Sequence, residues 1–510
     1  MKRIGIDVGG TNTDAVLLDG DRVTAAVKRP TTPDVTGGIV HALQALVERT
    51  ARACRVNAVM IGTTHFTNAV VQRRGLTKVA AVRIGLPAGA SLPPFVDWPA
   101  DLADVTRGAV YMVAGGHEYD GRRIVSLDEE RLRDVARQIR DARITSGGVT
   151  AVFSPLNAAD EERAAEIVRS VHPEACVTLS HDLGRLGLLE RENATLLNAC
   201  LADLARATTR AFRRALDESG IEAPLFLTQN DGTVARADAA EAFPVYSFAS
   251  GPTNSMRGAA FLSGLPDAIV VDVGGTTTDV GCLKSGFPRE ANDVVEIGGV
   301  RTLFRMPDLV SIGLGGGTIV DARGGRIGPE SVGFRLTSEA LVFGGSRVTM
   351  TDVAVASGLV ELGDRGTVRS LDHDTVLRAR DRAWSMIAEA VDRVKTDAAP
   401  IPLVAVGGGA FLVPEHLEGI SGVVHVEHQA VANAVGAAIA QVSGEVDQVF
   451  SGATREQAIA AATHEAESRA REAGAREGSV SVVEVEDLPL AYLPGGARRV
   501  RVRVVGDVDA

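Results

Sequence analysis

Short apolar runs alternate with segments of helical periodicity along most of the chain. Runs of about four to eight apolar residues between turn residues are typical of strands, and apolar residues that recur every three or four positions are typical of helices. This alternation predicts a layered α/β fold. The predicted strands cover residues 3–6, 15–18, 23–28, 58–62, 79–84, 149–153, 177–180, 225–229, 270–273, 280–283, 403–406, 479–486 and 498–505. The predicted helices cover residues 38–49, 128–143, 160–171, 191–219, 429–442 and 455–474, the last of them rich in charge and expected to present a solvated face.

Nearly the same eight residues occur twice in the chain. Residues 7–14 read Asp-Val-Gly-Gly-Thr-Asn-Thr-Asp, and residues 272–279 differ from them only in carrying Thr277 where the first copy has Asn12. Each copy lies between two apolar runs, which predicts a strand, a tight glycine turn and a second strand. A single copy is also typical of an ordinary hairpin. The repetition favours a functional site over an ordinary hairpin.

The residue types of the repeat suit phosphate and magnesium. A Gly-Gly pair lets a phosphate approach the backbone because no Cβ intervenes, and successive N–H groups in such a turn form an anion-binding concavity. Threonine hydroxyls add further donors. Asp7 and Asp272 end the incoming strands, where a carboxylate can hold a hydrated Mg²⁺ that bridges phosphates. Asp279 begins the outgoing strand and either orients an attacking group or caps the turn.

Composition narrows the class of protein. The 510 residues suffice for two or more domains, and the hydrophobic and charged shares of 45% and 23% are ordinary for a globular protein. The net charge of −12 argues against nucleic acid as the main partner. No apolar run is long enough for a membrane span, and no signal peptide is expected before the first strand. The four scattered cysteines fit a reducing cytoplasm and predict no cysteine-based metal site.

Three further turns carry candidate chemistry. Residues 62–69, Gly-Thr-Thr-His-Phe-Thr-Asn-Ala, predict a hydroxyl-rich turn that opens a helix, and its Thr and Asn side chains suit amide recognition or, alternatively, N-capping. Residues 313–318 are rich in glycine but lack the strand–helix unit of a dinucleotide site. Residues 407–410 end a predicted strand, and they admit a flat adenosine close to the backbone or make an ordinary strand-to-helix turn.

These motifs together resemble a known family. The paired hairpins, the later glycine turn and the Ala/Gly-rich helix resemble the actin, sugar kinase and Hsp70 ATPase superfamily, and the motifs between them are similar to those of the hydantoinase/oxoprolinase family, in particular its ATP-binding A subunits. The resemblance extends over roughly residues 3–440. Its motifs are residues 62–64 with 67–69, 191–195 with 197–199, 250–252, 312–317, 351–353 with Gly358, and 433–438.

The resemblance implies two actin-like, ribonuclease H-like lobes around a central nucleotide cleft. It also implies an enzyme that uses ATP and Mg²⁺ to phosphorylate the oxygen of a lactam or cyclic imide of the hydantoin or 5-oxoproline type, after which water opens the ring. The alternatives are a small-molecule kinase or a ketone-carboxylase-like ATPase of the same superfamily and, less closely, a nucleotide-gated binding module. The implied partners are a cyclic amide and a B-type hydantoinase subunit in an oligomer, with no nucleic acid and no membrane.

The candidate site combines both hairpins with the three turns. Asp7, Asp272 and Asp279 are the predicted catalytic residues, and Asp7 and Asp272 are expected to position Mg²⁺ through water. Thr63, Thr64 and Asn68 are expected on the substrate side. The predicted nucleotide-binding residues are Gly9, Gly10, Thr11, Asn12, Thr13, Gly274, Gly275, Thr276, Thr277, Gly315, Gly316, Gly317, Gly407, Gly408 and Gly409.

The predicted domains are an N-terminal lobe at residues 1–185, a second lobe with the repeated hairpin at 186–445, and a C-terminal helix with two closing strands at 446–510. Two features depart from the family pattern. Asn12 stands where the family commonly has an aromatic residue, so a different phosphate or substrate environment is expected there. The chain also ends at Ala510, earlier than many A subunits, so the docking surface for a B-type partner is expected to be absent or different.

Overall fold

The computed structural model describes residues 1–9, 12–31, 35–49, 55–183, 186–291, 294–303, 305–321, 324–491 and 496–509. Its strands are numbered in chain order. They are β1 (Lys2–Val8), β2 (Asn12–Asp19), β3 (Arg22–Pro30), β4 (Ala58–Thr63), β5 (Val79–Leu86), β6 (Arg107–Ala114), β7 (Ser146–Ala151), β8 (Cys176–Leu179), β9 (Leu225–Thr228), β10 (Thr233–Arg236), β11 (Ala268–Val273), β12 (Thr278–Lys284), β13 (Phe287–Pro288), β14 (Val295–Ile297), β15 (Val300–Thr302), β16 (Leu309–Ile312), β17 (Thr318–Val320), β18 (Ile327–Ser331), β19 (Ile401–Val406), β20 (Ile420–His425), β21 (Gln441–Phe450), β22 (Ser481–Pro489) and β23 (Arg498–Gly506).

The α-helices are also numbered in chain order. None of those in the described part of the chain combines the length and the apolar character that a membrane span requires. They are α1 (Val35–Arg49), α2 (His65–Gln72), α3 (Ala100–Thr106), α4 (Glu129–Asp141), α5 (Ala159–Val171), α6 (Leu188–Glu218), α7 (Ala237–Ala242), α8 (Ser250–Ser263), α9 (Leu336–Glu339), α10 (Met350–Ala356), α11 (His373–Val394), α12 (Ala432–Ile439) and α13 (Arg455–Glu472).

The largest sheet has nine strands in the order β22-β23-β21-β10-β9-β4-β1-β2-β3. β1, β2 and β3 form an antiparallel meander, and β4 and β9 extend the sheet parallel to β1. β10 then reverses direction and pairs with β21, which brings the C-terminal strands into the same sheet. The sheet takes strands from all three predicted domains, and the boundaries of those domains stay a prediction.

The second sheet repeats the pattern around β11. β12 lies antiparallel to β11 and is itself flanked by β13 and β16, while β19 and β20 extend the sheet parallel to β11. The order β16-β12-β11-β19-β20 therefore matches the order β3-β2-β1-β4-β9 of the first sheet. This repetition agrees with the two actin-like lobes that the resemblance implies, and the α/β class is confirmed.

A third sheet follows the first meander in the chain. Its four strands, in the order β6-β5-β7-β8, are all parallel. Strand β5 has apolar side chains on both faces, since Ala80, Val82 and Ile84 pack with α4 and α5 while Val79 and Ala81 pack with α6. This burial on both faces is typical of parallel sheets.

The C-terminal region corrects two sequence predictions. The helix predicted at 429–442 ends at Ile439, and β21 begins at Gln441. The alternation of buried Val442 and Val446 with polar residues is a strand pattern, which the preceding alanines obscured. The helix predicted at 455–474 exists as α13, but it is more than a solvated face, because its alanines at every fourth position are fully buried against β21 and β23.

Helices α8 and α12 cross at very short range beside β1. A Cβ placed on Gly258 of α8 would lie 1.9 Å from the carbonyl oxygen of Ala432, and one on Gly436 of α12 would lie 1.8 Å from that of Asn254. A Cβ on Gly5 of β1 would meet the carbonyl oxygen of Ala434 at 2.0 Å. Helix α12 therefore has close backbone contacts with α8 on one side and with β1 on the other. These contacts are possible only because glycine occupies the three positions.

Buried charges join the C-terminal strands to the rest of the molecule. Arg501, whose side chain is 3% exposed, donates to Glu445 at 2.7 Å and to Glu290 at 3.0 Å. Arg305 also contacts Glu445, at 3.0 Å. Burial raises the pKa of Glu445 to about 7, although Arg305 opposes the shift. Buried ions require partners, so these contacts hold β21 and β23 against the segment around residue 290.

We expect Arg501→Met to lower the free energy of unfolding by about 2 kcal/mol, because Glu445 and Glu290 lose charged hydrogen bonds while Arg305 still neutralises part of their charge. Urea unfolding followed by circular dichroism measures this change. The matched control is Arg476→Met, which removes an exposed ion pair to Asp507 and should change stability by less than about 1 kcal/mol. Equal losses in the two variants would contradict a structural role for the buried network.

Candidate functional site

The two repeated segments fold as hairpins with the same register. In the first, Asp7 pairs with Asp14 across β1 and β2. In the second, Asp272 pairs with Asp279 across β11 and β12. The predicted strand–turn–strand structure is therefore confirmed at both places. Each hairpin brings two carboxylates onto neighbouring strands.

The turns of the hairpins close in the same way. The amide of Gly9 donates to the carbonyl of Asn12 at 3.0 Å, and the amide of Gly274 donates to that of Thr277 at 2.9 Å. Gly275 is half-buried, while Thr276 and Thr277 are exposed at the tip of the second hairpin. Two of the predicted nucleotide-binding residues, Gly10 and Thr11, lie outside the described residues.

Parallel neighbours bring the other predicted turns to the same edges. β4 is in register with β1 so that Gly62 lies beside Asp7, and Thr63 follows at the end of the strand. β19 is in register with β11 so that Val406 lies beside Asp272, and Gly407 follows. Because parallel strands end at one edge of a sheet, each hairpin and its neighbouring turn form one surface, as in other open α/β sheets.

The first carboxylate pair is buried and shares one amide donor. Asn433, in α12, donates its side-chain amide to Asp7 at 2.9 Å and to Asp14 at 3.1 Å, and Lys28 donates to Asp14 at 2.8 Å. Oδ1 of each aspartate is buried without a hydrogen-bond partner in the described structure. Burial, followed by the charge of Asp14, raises the pKa of Asp7 to about 7. The pair is therefore suited to gain a cation.

The second carboxylate pair is linked electrostatically to the first. Burial raises the pKa of Asp272, against a hydrogen bond from Ser255 of α8. Burial also raises the pKa of Asp279 to about 6, against a hydrogen bond from Ser311 of β16. The charge of Asp272 contributes to the raised pKa of Asp7. The two hairpins are therefore close enough for their carboxylates to repel each other.

The glycine-rich segment at 313–317 packs directly on the second hairpin. The amides of Gly316 and Gly317 donate to the carbonyls of Gly274 and Gly275 at 3.0 and 2.8 Å. A Cβ on Gly315 would lie 2.5 Å from the amide nitrogen of Thr276. These glycines thus fix the shape of the hairpin, and direct contact with a nucleotide stays a prediction.

The later glycine turn lies against the end of β11. The amide of Gly409 donates to the carbonyl of Val273 at 2.8 Å. A Cβ on Gly407, where φ is +88°, would lie 2.3 Å from Oδ1 of Asp272. Gly408 has no heavy atom within 4 Å of its Cβ position. Gly407 therefore packs tightly against Asp272, while the space beside Gly408 is open.

Of the predicted substrate residues, Thr63 follows the residue that pairs with Asp7, and all three have protein partners. The hydroxyl of Thr63 accepts from the amide of His65 at 3.2 Å, and Asn68 donates its side-chain amide to Thr64 Oγ1 at 3.2 Å. Thr64 precedes α2 without capping it through its side chain. The N-capping alternative therefore does not describe Thr64, and a substrate role for the three residues stays a prediction.

Other predicted positions differ in exposure. Thr13 is fully buried, and its hydroxyl lies 3.3 Å from that of Thr31, so the described structure already gives this side chain a partner. Asn12 is half-buried at the start of β2. The nucleotide contacts predicted for both residues stay predictions.

Four side chains that hold the carboxylates were not predicted from the sequence. Lys28 lies opposite Asp14 on β3, and Ser311 lies opposite Asp279 on β16. Asn433 and Ser255 come from the crossing helices α12 and α8. The position of Asn433 at the head of the Ala-rich helix was the available signal, since a polar residue there must lie near the sheet edge that the helix covers.

The site and the repeated strand order define an α/β protein with two matching sheets, each carrying one hairpin, and sequence comparison places it in a family. Residues 3–172 match the hydantoinase/oxoprolinase N-terminal region, and residues 191–379 match the hydantoinase/oxoprolinase domain. The chain belongs to the hydantoinase/oxoprolinase family.

Two relatives illustrate the range of the family. The acetophenone carboxylase gamma subunit of Aromatoleum aromaticum is 29% identical over 395 residues, which cover 71% of this chain and 53% of the relative. The caprolactamase subunit alpha of Pseudomonas jessenii is 25% identical over 399 residues, which cover 71% and 55%. The chain thus spans about half the length of these curated relatives.

Solved structures show the same fold. The ATP-dependent caprolactamase from Pseudomonas jessenii superposes with a TM-score of 0.79 at 18% identity, over 99% of this chain and 88% of that chain. A nucleotide-free acetone carboxylase superposes with a TM-score of 0.70, also at 18% identity, over 100% and 88%. Similarity at this level of identity establishes the fold alone.

Proposed function

We propose that the chain is the ATP-using subunit of an enzyme that opens a lactam or cyclic imide, of the hydantoin or 5-oxoproline type. One observation carries the proposal, namely the matched hairpins, whose carboxylate pairs are buried in the first copy and half-buried in the second and influence each other electrostatically. Sites for phosphoryl transfer act mainly by positioning and by charge neutralisation, and carboxylates that hold Mg²⁺ would contribute to both. The caprolactamase relative supports the cyclic amide as substrate class.

The residues present fit ATP and Mg²⁺. The unpartnered Oδ1 atoms of Asp7 and Asp14 are buried carboxylate oxygens, which hydrated magnesium binds. In the described part of the chain no three His, Cys, Asp or Glu side chains gather as a direct ligand set. Asp7 and Asp272 would therefore hold the proposed magnesium through water. The open space at Gly408 suits a flat nucleoside. Bound ATP would supply a phosphoryl group to an oxygen of the substrate.

Residues of both hairpins and of the turn at 62–69 have separate proposed roles. The tip of the second hairpin is proposed to offer its backbone amides and the exposed hydroxyls of Thr276 and Thr277 to phosphate. Asn433 and Lys28 hold the first carboxylate pair in place. Thr63, Thr64 and Asn68 are proposed to orient the amide beside Asp7. Asp279 is proposed to orient the attacking group or to fix the turn.

A second candidate function is a ketone-carboxylase-like ATPase. The acetophenone carboxylase and acetone carboxylase subunits among the relatives favour it. Both chemistries place phosphate on a substrate oxygen, so the hairpins serve either. The relatives are subunits, and we therefore propose an oligomer with a B-type partner. We also propose a cytoplasmic location, because the four scattered cysteines fit a reducing compartment.

A product assay decides between these functions. The purified chain, alone and with a candidate B-type subunit, is incubated with ATP, Mg²⁺ and a panel of hydantoins, 5-oxoproline, larger lactams and, together with bicarbonate, ketones. Phosphate release is measured together with products by mass spectrometry. A ring-opened amino acid supports the hydrolase, a carboxylated ketone supports the alternative, and a stable phosphorylated product indicates a small-molecule kinase. ATP consumption that no compound stimulates, with or without the partner, contradicts the proposal.

A further inference from the structure

Lys28 places a positive charge beside the first carboxylate pair. It lies opposite Asp14 on β3, and its Nζ donates to Oδ2 of Asp14 at 2.8 Å. The side chain of Asp14 is 3% exposed, whereas that of Lys28 is 37% exposed. The ammonium group therefore neutralises a buried carboxylate and is itself open to a molecule that arrives from solvent.

The alternation of β3 places Lys28 on the face of the sheet that α12 covers. Val27 packs in the core on one face, whereas Ala26 packs against the apolar cluster of α12 on the other. Side chains two residues apart on a strand share a face, so Lys28 lies on the same side as Ala26. Asn433 of α12, which donates to both carboxylates of the pair, comes from this side as well. Lys28 and Asn433 therefore reach the carboxylate pair from one side of the sheet.

The end of β3 is attached to the turn of the first hairpin. The hydroxyl of Thr31 donates to the carbonyl of Gly9 at 2.7 Å, and it lies 3.3 Å from the hydroxyl of Thr13. Residues 28–30 pair with residues 12–14 of β2. The backbone from which Lys28 extends is therefore held next to a predicted nucleotide-binding turn.

The charge of Lys28 acts on both hairpins. Burial raises the pKa of Asp14, and the charge of Lys28 opposes the shift. Burial also raises the pKa of Asp272 in the second hairpin, and Lys28 opposes that shift too. Burial raises the pKa of Asp7 to about 7, again against Lys28. A lysine of the first sheet that acts on a carboxylate of the second sheet lies where the two hairpins approach each other.

The carboxylates outnumber this ammonium group. Asp7, Asp14 and Asp272 are all within its influence, and among the described residues no other cation contributes to the pKa of Asp14 or of Asp272. The phosphates of ATP would bring further negative charge to the same place, and phosphoryl groups beside carboxylates require nearby positive charge. Bound Mg²⁺ would supply part of it. Lys28 is in position to supply another part.

We propose that Lys28 is a phosphate-binding residue, whose ammonium group exchanges the carboxylate of Asp14 for a β- or γ-phosphate oxygen when ATP and Mg²⁺ bind. The proposal rests on the proposed function only in the use of ATP at the hairpins. Lysine is a compact charge on a flexible stem and a common ligand of phosphate, which suits such an exchange. Asn433 would still hold Asp14 after Lys28 has left it.

The other role open to Lys28 is a permanent ion pair that only holds Asp14 in place. The two roles differ in how the protein distinguishes nucleotides, because AMP lacks the β- and γ-phosphates. A phosphate-binding lysine contributes to the affinity for ATP and leaves that for AMP unchanged. A lysine that only maintains the shape of the site affects both nucleotides alike or neither.

Calorimetric titration of the full chain with ATP and with AMP, each with Mg²⁺, separates these roles. Lys28→Met should raise the Kd for ATP about tenfold or more, since a hydrogen bond to a charged group is lost, and should change the Kd for AMP less than about twofold. The matched control is Lys284→Met, which changes an exposed lysine at the end of β12 and should bind both nucleotides as the wild type does. Wild-type ATP affinity in Lys28→Met, or equal losses for ATP and AMP, overturns the proposal. Failure of the wild type to bind ATP would instead overturn the proposed function.

The chain without nucleotide gives a second readout. Mn²⁺, a paramagnetic substitute for Mg²⁺, is titrated into the wild type and Lys28→Met and followed by electron paramagnetic resonance. Loss of the positive charge beside Asp14 should tighten Mn²⁺ binding about twofold or more, while the same substitution weakens ATP binding. Weaker binding of both Mn²⁺ and ATP would show that Lys28 only maintains the carboxylate pair, and it would overturn the exchange.

Discussion

Asp7→Asn should lower substrate-stimulated ATP turnover about a hundredfold or more, since one well-placed electrostatic group typically contributes about 3 kcal/mol to a transition state. Asp7 combines a buried unpartnered oxygen with a shared amide donor from Asn433. An amide at this position keeps the shape of the side chain but loses its attraction for a cation. Steady-state phosphate release at saturating substrate measures the change.

The same variant should not be less stable. The folded pKa of Asp7 is about 7, above its ordinary value of 3.8, so the folded protein holds this proton between about pH 4 and 7 and loses stability as the pH rises through that window. An asparagine does not ionise, so it does not lose this stability as the pH rises. The Tm of Asp7→Asn at pH 8 without ligand should therefore equal or exceed that of the wild type. Asp19→Asn, at the exposed end of the same hairpin, is the control and should retain activity. Full turnover in Asp7→Asn would contradict the assignment.

Gly436→Ala should lower the free energy of unfolding by about 3 kcal/mol or more, since overpacking against a rigid backbone is poorly relieved. Its new Cβ would lie 1.8 Å from the carbonyl oxygen of Asn254, and α12 cannot retreat because Gly5 of β1 supports its other side. Displacement of α12 also moves Asn433 away from the carboxylate pair. The Tm and the affinity for ATP should therefore decline together.

Gly422→Ala is the matched control for this substitution. A Cβ at Gly422 meets no atom within 4 Å, so the change should alter stability by less than about 0.5 kcal/mol. A wild-type Tm in Gly436→Ala would show that the two helices can separate without cost, against the packing described.

Local patterns predicted the hairpins, because the cause of each lies within its own eight residues. Apolar runs and a Gly-Gly pair suffice to define strand, turn and strand, and the shared register of Asp7 with Asp14 and of Asp272 with Asp279 follows from the turn length. The two-lobe fold followed from a resemblance of motifs. It could not be obtained from periodicity alone, since strand order depends on distant pairings.

Contacts between distant segments explain the structural features that could not be predicted from the sequence. Asn433 lies 426 positions from Asp7, and its place at the head of the Ala-rich helix indicates a position near a sheet edge without identifying Asp7 as its partner. β21 was missed because helical alanines run directly into its alternating pattern. The contact between His181 Nδ1 and Glu161 Oε2, at 2.7 Å, likewise depends on α5 meeting the segment after β8.

Calorimetric titration of ATP into the chain, with and without Mg²⁺, tests the central claim that both hairpins form one nucleotide site. We predict one ATP per chain, affinity that depends on Mg²⁺, and weaker binding in Asp7→Asn and in Asp272→Asn. The two losses should be less than additive in the double variant, because both carboxylates act on the same ion. No binding of ATP, or binding that neither substitution weakens, would contradict the account.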